Sequence, residues 1–222
     1  MKGAWWKILS FVCLLYAIIG GFLLPVPAKA IVNESIRNLY YHVPMWFGMM
    51  ILFFVSVFYA VKYLRTNQLQ ADIYSHHFAA TGMVMGVLGI TTGAVWANYT
   101  WGAPWSNDIK QILAAIALLI YAAYFILRGS IPDIDKRARV SAVYNIFACA
   151  MLFPTLWIIP RMYDSLHPGG EGNPAMGQND IDPLMRMVFW PAVIGWTLLG
   201  VWISTLYIRL QKMADKNILN EK

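Results

Sequence analysis

The chain has 222 residues, of which 59% are hydrophobic and only 13% are charged, against about 25% charged residues in an average soluble protein. Because a membrane-spanning helix uses about 20 mostly apolar residues, this composition allows about six spans and leaves little sequence for a soluble domain. The net charge of +6 could indicate nucleic-acid binding in a soluble protein. Here the basic residues flank apolar stretches, so we expect a lipid bilayer and no nucleic acid as the partner.

The first apolar stretch covers residues 8–24 and follows Lys2 and Lys7. Ala28-Lys29-Ala30 has the small-x-small form of a cleavage site, so a signal peptide is one interpretation. We prefer an uncleaved first span, because the stretch is longer than the usual signal-peptide core of about 7–15 residues.

Five further stretches are long enough to cross the hydrocarbon core, and none carries a charge near its middle. Twelve of the 17 basic residues fall in the N-terminus, the loops after the second and fourth spans, and the tail. Because cytoplasmic segments are enriched in Lys and Arg, we predict an all-α polytopic membrane protein, a six-helix bundle with both termini cytoplasmic. We expect a single membrane domain over residues 1–222, with spans at 8–24, 44–64, 78–96, 109–127, 140–159 and 187–208. The outer segments are then 25–43, 97–108 and 160–186.

Several kinds of chemistry are disfavoured by absent motifs. Cys13 and Cys149 lie in apolar stretches without a Cys-x-x-Cys, which argues against thiol–disulfide chemistry and covalent c-type haem. The chain has neither a Walker loop nor a His-Glu-x-x-His pair. No Asp, Glu, Lys, Arg or His lies near the middle of a predicted span, which lowers the odds of a proton-driven transporter.

The four histidines divide between the two predicted faces. His42 ends the first outer segment, just before Pro44, which fits the first turn of the second span. His167 lies in the third outer segment. Two neutral imidazoles can ligate a haem iron from opposite faces, and two unrelated interfacial histidines are the alternative. His76 and His77 precede the third span on the cytoplasmic side, where interfacial placement is favoured over a role in haem entry.

The second outer segment is rich in tryptophan. Trp101, Trp105 and Asp108 are spaced i, i+4, i+7, so on a helix lying along the interface they would share one face. A flat indole surface can stack against a flat macrocycle, whereas an aromatic belt at the membrane interface is the alternative. A belt explains neither the acid and glycines in register with the tryptophans nor the one-sided distribution of tryptophan. Six of the ten fall near predicted outer ends: Trp46, Trp96, Trp101, Trp105, Trp157 and Trp190.

Three motifs together resemble a known family. The tryptophan-rich segment resembles the WWD signature of haem-handling membrane proteins in cytochrome c maturation, with the frame Trp101-Gly102-x-x-Trp105-x-x-Asp108. Its upstream half is similar to that of the CcsA branch, with Gly93-Ala94-Val95-Trp96-Ala97-Asn98. The family's two outer histidine motifs are resembled by Tyr41-His42-Val43-Pro44 and Ser165-Leu166-His167. Six spans and a short chain are most similar to CcmC.

The resemblance implies a haem site on the outer, periplasmic face of the bacterial inner membrane. The protein would bind haem b there non-covalently and transiently, with His42 and His167 as axial ligands. The haem platform would consist of Trp96, Trp101, Gly102, Trp105 and Asp108, and Asp108 would orient the tryptophan segment or a partner. Cations are needed for the haem propionates, and the outer candidates are Arg37, Lys110, Arg161 and Arg186.

The resemblance also implies partners. Haem would pass to a periplasmic haem chaperone of the CcmE type, and an ATP-binding cassette complex of CcmA- and CcmB-like subunits is expected beside it. On this interpretation the protein is a haem carrier and not an enzyme. The alternatives are a b-type cytochrome that transfers electrons, a haem permease subunit and a structural docking subunit. The spans offer no mid-span histidine for the first and no polar lining for the second.

Overall fold

The computed structural model describes residues 3–27, 32–167 and 181–220, without the side chains of Asn33 and residues 217–220. The possible cleavage site at Ala28-Lys29-Ala30 lies outside these residues. Within them the secondary structure is helical, and six helical stretches are long and apolar enough to cross a membrane. The prediction of an all-α, six-span bundle is therefore confirmed. The helices are α1 (Trp5–Leu23), α2 (Leu39–Thr66), α3 (Leu69–Trp101), α4 (Ile109–Gly129), α5 (Ile134–Leu152) and α6 (Pro183–Asn220).

Short helical segments of other types extend two of these helices. A 3-10 helix, Asn33–Asn38, leads directly into α2. A π-helix, Phe153–Ile158, and a 3-10 turn, Ile159–Arg161, continue α5. Pro154 is the second residue of the π-helix, where its missing N–H interrupts the regular α-helical hydrogen bonds.

Most helices extend beyond the predicted spans. Helix α3 begins at Leu69 and ends at Trp101, instead of covering residues 78–96. Its 33 residues give a length of about 50 Å at 1.5 Å per residue, so its ends project beyond a hydrocarbon core of about 30 Å. Hydropathy marks the apolar middle of such a helix and misses its polar ends.

Two predicted junctions between loop and helix are wrong for the same reason. His76 and His77 lie inside α3 and not before it. His42 and Pro44 lie within α2, so Pro44 is not in the first turn. The Nδ2 of Asn38 donates to the Thr92 carbonyl at 3.1 Å. This bond holds the 3-10 helix against α3. Because the 3-10 helix leads directly into α2, the helical backbone begins before the proline.

Helices α2 and α3 form the centre of the bundle, whereas α1 packs on its outside, mainly against α6. The α2–α3 contact is close because glycines face it: a Cβ at Gly82 would lie 2.8 Å from the Phe53 ring. Phe53 in turn stacks on Tyr121 of α4, with ring centroids 3.5 Å apart.

A buried polar network joins four helices in this core. The Nδ2 of Asn145 donates to the hydroxyls of Ser56 at 2.7 Å and Ser75 at 3.1 Å. Its Oδ1 accepts from the Tyr121 hydroxyl at 3.2 Å. Because buried polar groups are costly when unpaired, this network stabilises one mutual register of α2, α3, α4 and α5.

The bundle has two chemically different ends. The site end is where α3 ends and α4 begins, and the far end is the opposite one. At the far end Arg128 of α4 makes a bidentate pair with Asp72 of α3, at 2.6 and 2.7 Å. His77 contacts Gln211 of α6 there at 2.6 Å. Trp6 of α1 lies with its ring centroid 6.4 Å from that of Trp202 of α6, so α1 begins, and α6 ends, toward the far end.

Candidate functional site

The side chain of His42, a residue of α2, packs against α3 at the site end. Its Nδ1 lies 2.8 Å from the carbonyl oxygen of Gly89 and 3.4 Å from the Thr92 hydroxyl. Because a carbonyl only accepts hydrogen bonds, Nδ1 carries the hydrogen, and in a neutral ring Nε2 keeps its lone pair. A Cβ at Gly93 would lie 2.5 Å from the Cε1 of His42. The missing side chain at position 93 therefore makes room for the ring.

His167 lies in the non-helical residues 162–167 and is bound through Asp108. Its Nδ1 donates to Oδ1 of Asp108 at 3.0 Å. The Leu166 N–H donates to Oδ2 at 2.7 Å, and the Ser165 hydroxyl lies 2.9 and 3.1 Å from the two carboxylate oxygens. The Asp108 side chain is 1% exposed, whereas that of His167 is 20% exposed. One buried carboxylate thus holds three consecutive residues and leaves Nε2 of His167 available as a ligand atom.

Asp108 also begins helix α4, as its N-cap residue. It accepts a hydrogen bond from the Lys110 N–H at 2.9 Å. Burial alone raises the pKa of this carboxyl, but hydrogen bonds from His167, the Leu166 N–H and Ser165 outweigh burial and hold the pKa well below its ordinary value. The side chain is therefore ionised at neutral pH and acts only as an acceptor. We call Asp108, Ser165, Leu166 and His167 the Asp108 cluster.

Two tryptophans of α3 pack around the imidazole of His167. Its ring centroid lies 4.8 Å from that of Trp101 and 6.2 Å from that of Trp96, and both contacts are edge-to-face. The Trp96 indole N–H donates to the Ser35 hydroxyl at 3.3 Å. This bond orients Trp96 against the 3-10 helix that precedes α2.

The predicted common face of Trp101, Trp105 and Asp108 is wrong. Helix α3 continues to Trp101 and ends there, since Gly102 has a left-handed φ of +81°. Pro104 then disfavours further helix, so only residues 102–108 form the loop. Trp105 is 43% exposed, and its indole N–H donates to the Asn107 side chain at 2.9 Å. The structure brings Trp96, Trp101 and Asp108 to His167 and leaves Trp105 on the surface.

Gly102 acts through its backbone conformation. A Cβ at this position would meet nothing within 4 Å. Its function in this structure is to turn the chain out of α3, which a glycine does at little cost.

Both candidate ligand histidines lie against the last turns of α3. Gly89, Thr92 and Gly93 contact His42, and Trp96 contacts His167. The three residue steps from Gly93 to Trp96 span about 4.5 Å along the helix axis. The structure therefore packs His42 and His167 against neighbouring turns of α3, although the two histidines are far apart in sequence.

Three of the four candidate propionate partners are bound to backbone carbonyls. Arg37 donates to the carbonyls of Gly21 at 2.8 Å and Leu24 at 2.7 Å, and pairs with Glu34 at 2.6 Å. It thereby caps the last carbonyls of α1. Arg161 donates to the Trp157 carbonyl, with its guanidinium 5.0 Å from the centroid of that ring. Arg186 donates to the Ile181 carbonyl at 2.8 Å.

Lys110 differs from these arginines. It lies in the first turn of α4, two residues after Asp108. Within the part of the chain that the structure describes, its ammonium group has no hydrogen bond or ion pair. Of the four cations, Lys110 has the side chain with the fewest hydrogen bonds and ion pairs to the described residues.

Gln111 is a site residue that sequence reasoning missed. Its Oε1 accepts hydrogen bonds from the N–H and hydroxyl of Ser106 at 2.9 and 3.0 Å. Its Nε2 donates to the Pro104 carbonyl at 3.3 Å. These bonds hold the loop after α3 against α4. A signal was present, since Asp108-x-x-Gln111 has the spacing of a capping box.

Comparison with known proteins identifies the family. Residues 2–221 match the CcmC family, described as Heme exporter protein C. The chain belongs to this family. The resemblance that the three motifs predicted is therefore confirmed over nearly the whole chain.

Several curated relatives of this CcmC-family chain are cytochrome c biogenesis proteins named CcsA. The protein of Synechococcus sp. (strain CC9605) is 39% identical over 90 residues, which are 40% of this chain and 29% of the relative. That of Cuscuta reflexa is 37% identical over 104 residues, 46% of this chain and 32% of the relative. That of Pelargonium hortorum is 32% identical over 109 residues, 49% of this chain and 32% of the relative. The matched region spans about a third of the length of these relatives.

Family and fold together establish the class of this CcmC-family chain. It is a multi-pass membrane protein of a haem-handling family in cytochrome c biogenesis. The predicted multi-pass membrane protein of cytochrome c biogenesis is thereby confirmed.

Proposed function

We propose that this chain binds haem b non-covalently and transiently at the site end and delivers it to a periplasmic haem chaperone of the CcmE type. The observation that carries the proposal is that His42 and His167 are hydrogen-bonded through the same ring atom, Nδ1. Each donates its Nδ1–H to a fixed acceptor, the Gly89 carbonyl or the Asp108 carboxylate. Each ring therefore presents Nε2, the atom that a neutral imidazole uses to bind iron.

The donor set fits haem and not a bare metal ion. Within the described residues, no group of three or more His, Cys, Asp or Glu side chains could hold a metal ion. Two imidazoles suffice for haem, because the porphyrin supplies the remaining four ligands to iron. Trp96 and Trp101 add aromatic surface beside His167.

Lys110 is the cation that we assign to a haem propionate. Lys110 lies in the first turn of α4, two residues after Asp108, and among the described residues no backbone carbonyl accepts a hydrogen bond from its ammonium group. Arg37, Arg161 and Arg186 each donate to a carbonyl instead. Lys110→Gln should weaken haem binding more than Arg161→Gln does, and haem titration of both purified variants measures the difference.

The proposal includes an orientation and a set of partners. The site end would face the periplasm and both chain ends the cytoplasm, in the bacterial cytoplasmic membrane, as the distribution of Lys and Arg favours. The protein would act as a carrier without catalysing a reaction. CcmA- and CcmB-like subunits of an ATP-binding cassette complex would be further partners.

The absorption spectrum of the purified chain tests the proposal. We expect a low-spin haem with two histidine ligands in the wild type. His42→Ala and His167→Ala should each remove one ligand, convert the spectrum and weaken haem retention. His77→Ala, at the far end, is the matched control and should leave the spectrum unchanged.

The same variants test delivery. With a CcmE-type chaperone present, His42→Ala and His167→Ala should reduce the amount of haem-loaded chaperone at least tenfold relative to the wild type. An unchanged spectrum and unchanged loading in both variants would overturn the proposal.

A further inference from the structure

The two candidate ligands are held in different ways, and His42 is held rigidly. His42 is part of helix α2, and its ring fits against α3 with no space left at Gly93. Its Nδ1 bonds to the backbone carbonyl of Gly89, which itself belongs to a helix. Moving this ring away from the site requires α2 and α3 to separate, and these helices form the most extensive contact in the bundle.

The hold on His167 depends on side chains. Residues 162–167 contain no helix, so the backbone N–H groups after Met162, which still donates to the Ile159 carbonyl, lack the regular partners that a helix supplies. The Leu166 N–H bonds to Asp108, and the His167 N–H bonds to the Ser165 hydroxyl at 3.2 Å. Ser165 and the His167 ring bond to the same carboxylate. These bonds reach Asp108 directly or through Ser165, so they can break together without opening a helix–helix contact.

We propose that the two ligands have unequal roles in haem transfer, with His167 as the one that detaches when haem leaves and His42 as the one that keeps hold of it. Asp108 and Ser165 are then positioning residues that set the rate of detachment. This inference rests on the proposed function, because it concerns the same haem.

Two hydroxyl groups provide a matched test. The Ser165 hydroxyl lies 3.4 Å from Nδ1 of His167, and the Thr92 hydroxyl lies 3.4 Å from Nδ1 of His42. Ser165→Ala removes the hydroxyl on the His167 side. Thr92→Val removes the hydroxyl on the His42 side and conserves side-chain volume.

The experiment uses the ferric, haem-loaded full chain in detergent with saturating cyanide. Cyanide can bind only after one histidine has left the iron, so the observed rate at saturation is the rate of histidine dissociation. We expect Ser165→Ala to raise this rate at least fivefold and Asp108→Asn to raise it further. Thr92→Val should stay within twofold of the wild type. Equal rates in all variants, or an acceleration by Thr92→Val alone, would overturn the inference.

A second measurement does not require haem. Hydrogen–deuterium exchange of the haem-free wild type should be at least tenfold faster for the Leu166 and His167 amides than for those of residues 45–48 in α2. Equal protection of the two segments would also overturn the inference. Absence of haem binding in the wild type would instead contradict the proposed function, so the two failures are distinguishable.

Discussion

Two buried carboxylates, Asp108 and Asp72, each accept hydrogen bonds from a specific set of donors. Asp108 is surrounded by an imidazole, a hydroxyl and two backbone N–H groups. Asp72 faces the guanidinium of Arg128 in a bidentate pair. Removal of one partner leaves the other buried without compensation, and this penalty usually exceeds the net stabilisation by the pair itself.

The far-end ion pair gives a prediction at the residue scale. The side chains of Asp72 and Arg128 are 9% and 11% exposed, so Asp72→Asn leaves a buried, unpaired guanidinium. We expect the free energy of unfolding to fall by about 3–5 kcal/mol. Unfolding in mixed micelles with increasing SDS measures the change.

The exposed pair of Arg37 and Glu34 provides the control. Glu34 is 68% exposed, so Glu34→Gln should change the free energy of unfolding by less than about 1 kcal/mol. Equal losses in the buried and the exposed variant would contradict the interpretation. Replacing both members of the buried pair, by Asp72→Leu with Arg128→Met, should cost less than Asp72→Asn alone.

Individual functional residues were predictable from motifs, whereas their pairings were not. The positions of His42, His167 and Asp108 followed from short sequence patterns that resemble a family. The bond between Asp108 and His167 joins residues 59 positions apart. No local pattern encodes such a contact, since it arises only when α4 and the segment after α5 reach the same end of the bundle.

At the scale of elements, the ends of helices determine the shape of the site. Helix α3 brings Trp96 and Trp101 to His167 because the helix continues as far as Trp101, the residue before Gly102. The π-helix and 3-10 turn after α5 lead the chain toward residues 162–167. Periodicity predicted the apolar middles of these helices, and it could not show where polar ends stop.

The end of α3 gives a prediction at the element scale. Gly102 has a φ of +81°, and a Cβ there would meet no atom within 4 Å, so Gly102→Ala tests backbone conformation alone. We expect a loss of about 1 kcal/mol in stability, because a left-handed conformation costs an L-residue about that much. Gly102→Asn should cost less, since asparagine tolerates this conformation better. SDS unfolding measures both variants.

Gly129 is the matched control for Gly102. It ends α4, a Cβ there would also meet nothing within 4 Å, and its φ is not positive. Gly129→Ala should stay within about 0.5 kcal/mol of the wild type. A loss as large as that of Gly102→Ala would show that the left-handed φ does not determine the cost.

The whole molecule separates two kinds of chemistry to opposite ends. The site end carries His42, His167 and the tryptophan-rich loop. The far end carries a buried ion pair, the beginning of α1 and the last turns of α6. Four helices cross between them around the network of Asn145. A site at one end of a bundle suits a cargo that is received and given up on one side.

The proposed orientation gives a prediction at the whole-molecule scale. Asn107 and Tyr163 are exposed at the site end, and Ser130 is exposed at the far end. In a chain carrying Cys13→Ser and Cys149→Ala, a membrane-impermeant maleimide should label Asn107→Cys and Tyr163→Cys in intact cells whose outer membrane is permeable to it. Ser130→Cys should react only after the inner membrane is opened. The opposite labelling pattern would invert the orientation.

The sequence by itself determined the six apolar helices, the family and the residues of its motifs, because span length and short motifs are local properties. Only the tertiary structure decided that Trp105 lies on the surface, that Asp108 holds His167, and that Gly93 makes room for His42. It also showed that three candidate arginines are bound to carbonyls and that, among the described residues, Lys110 is not. The physical reason is that these facts depend on packing between helices, where distant residues compete for the same donors, acceptors and space.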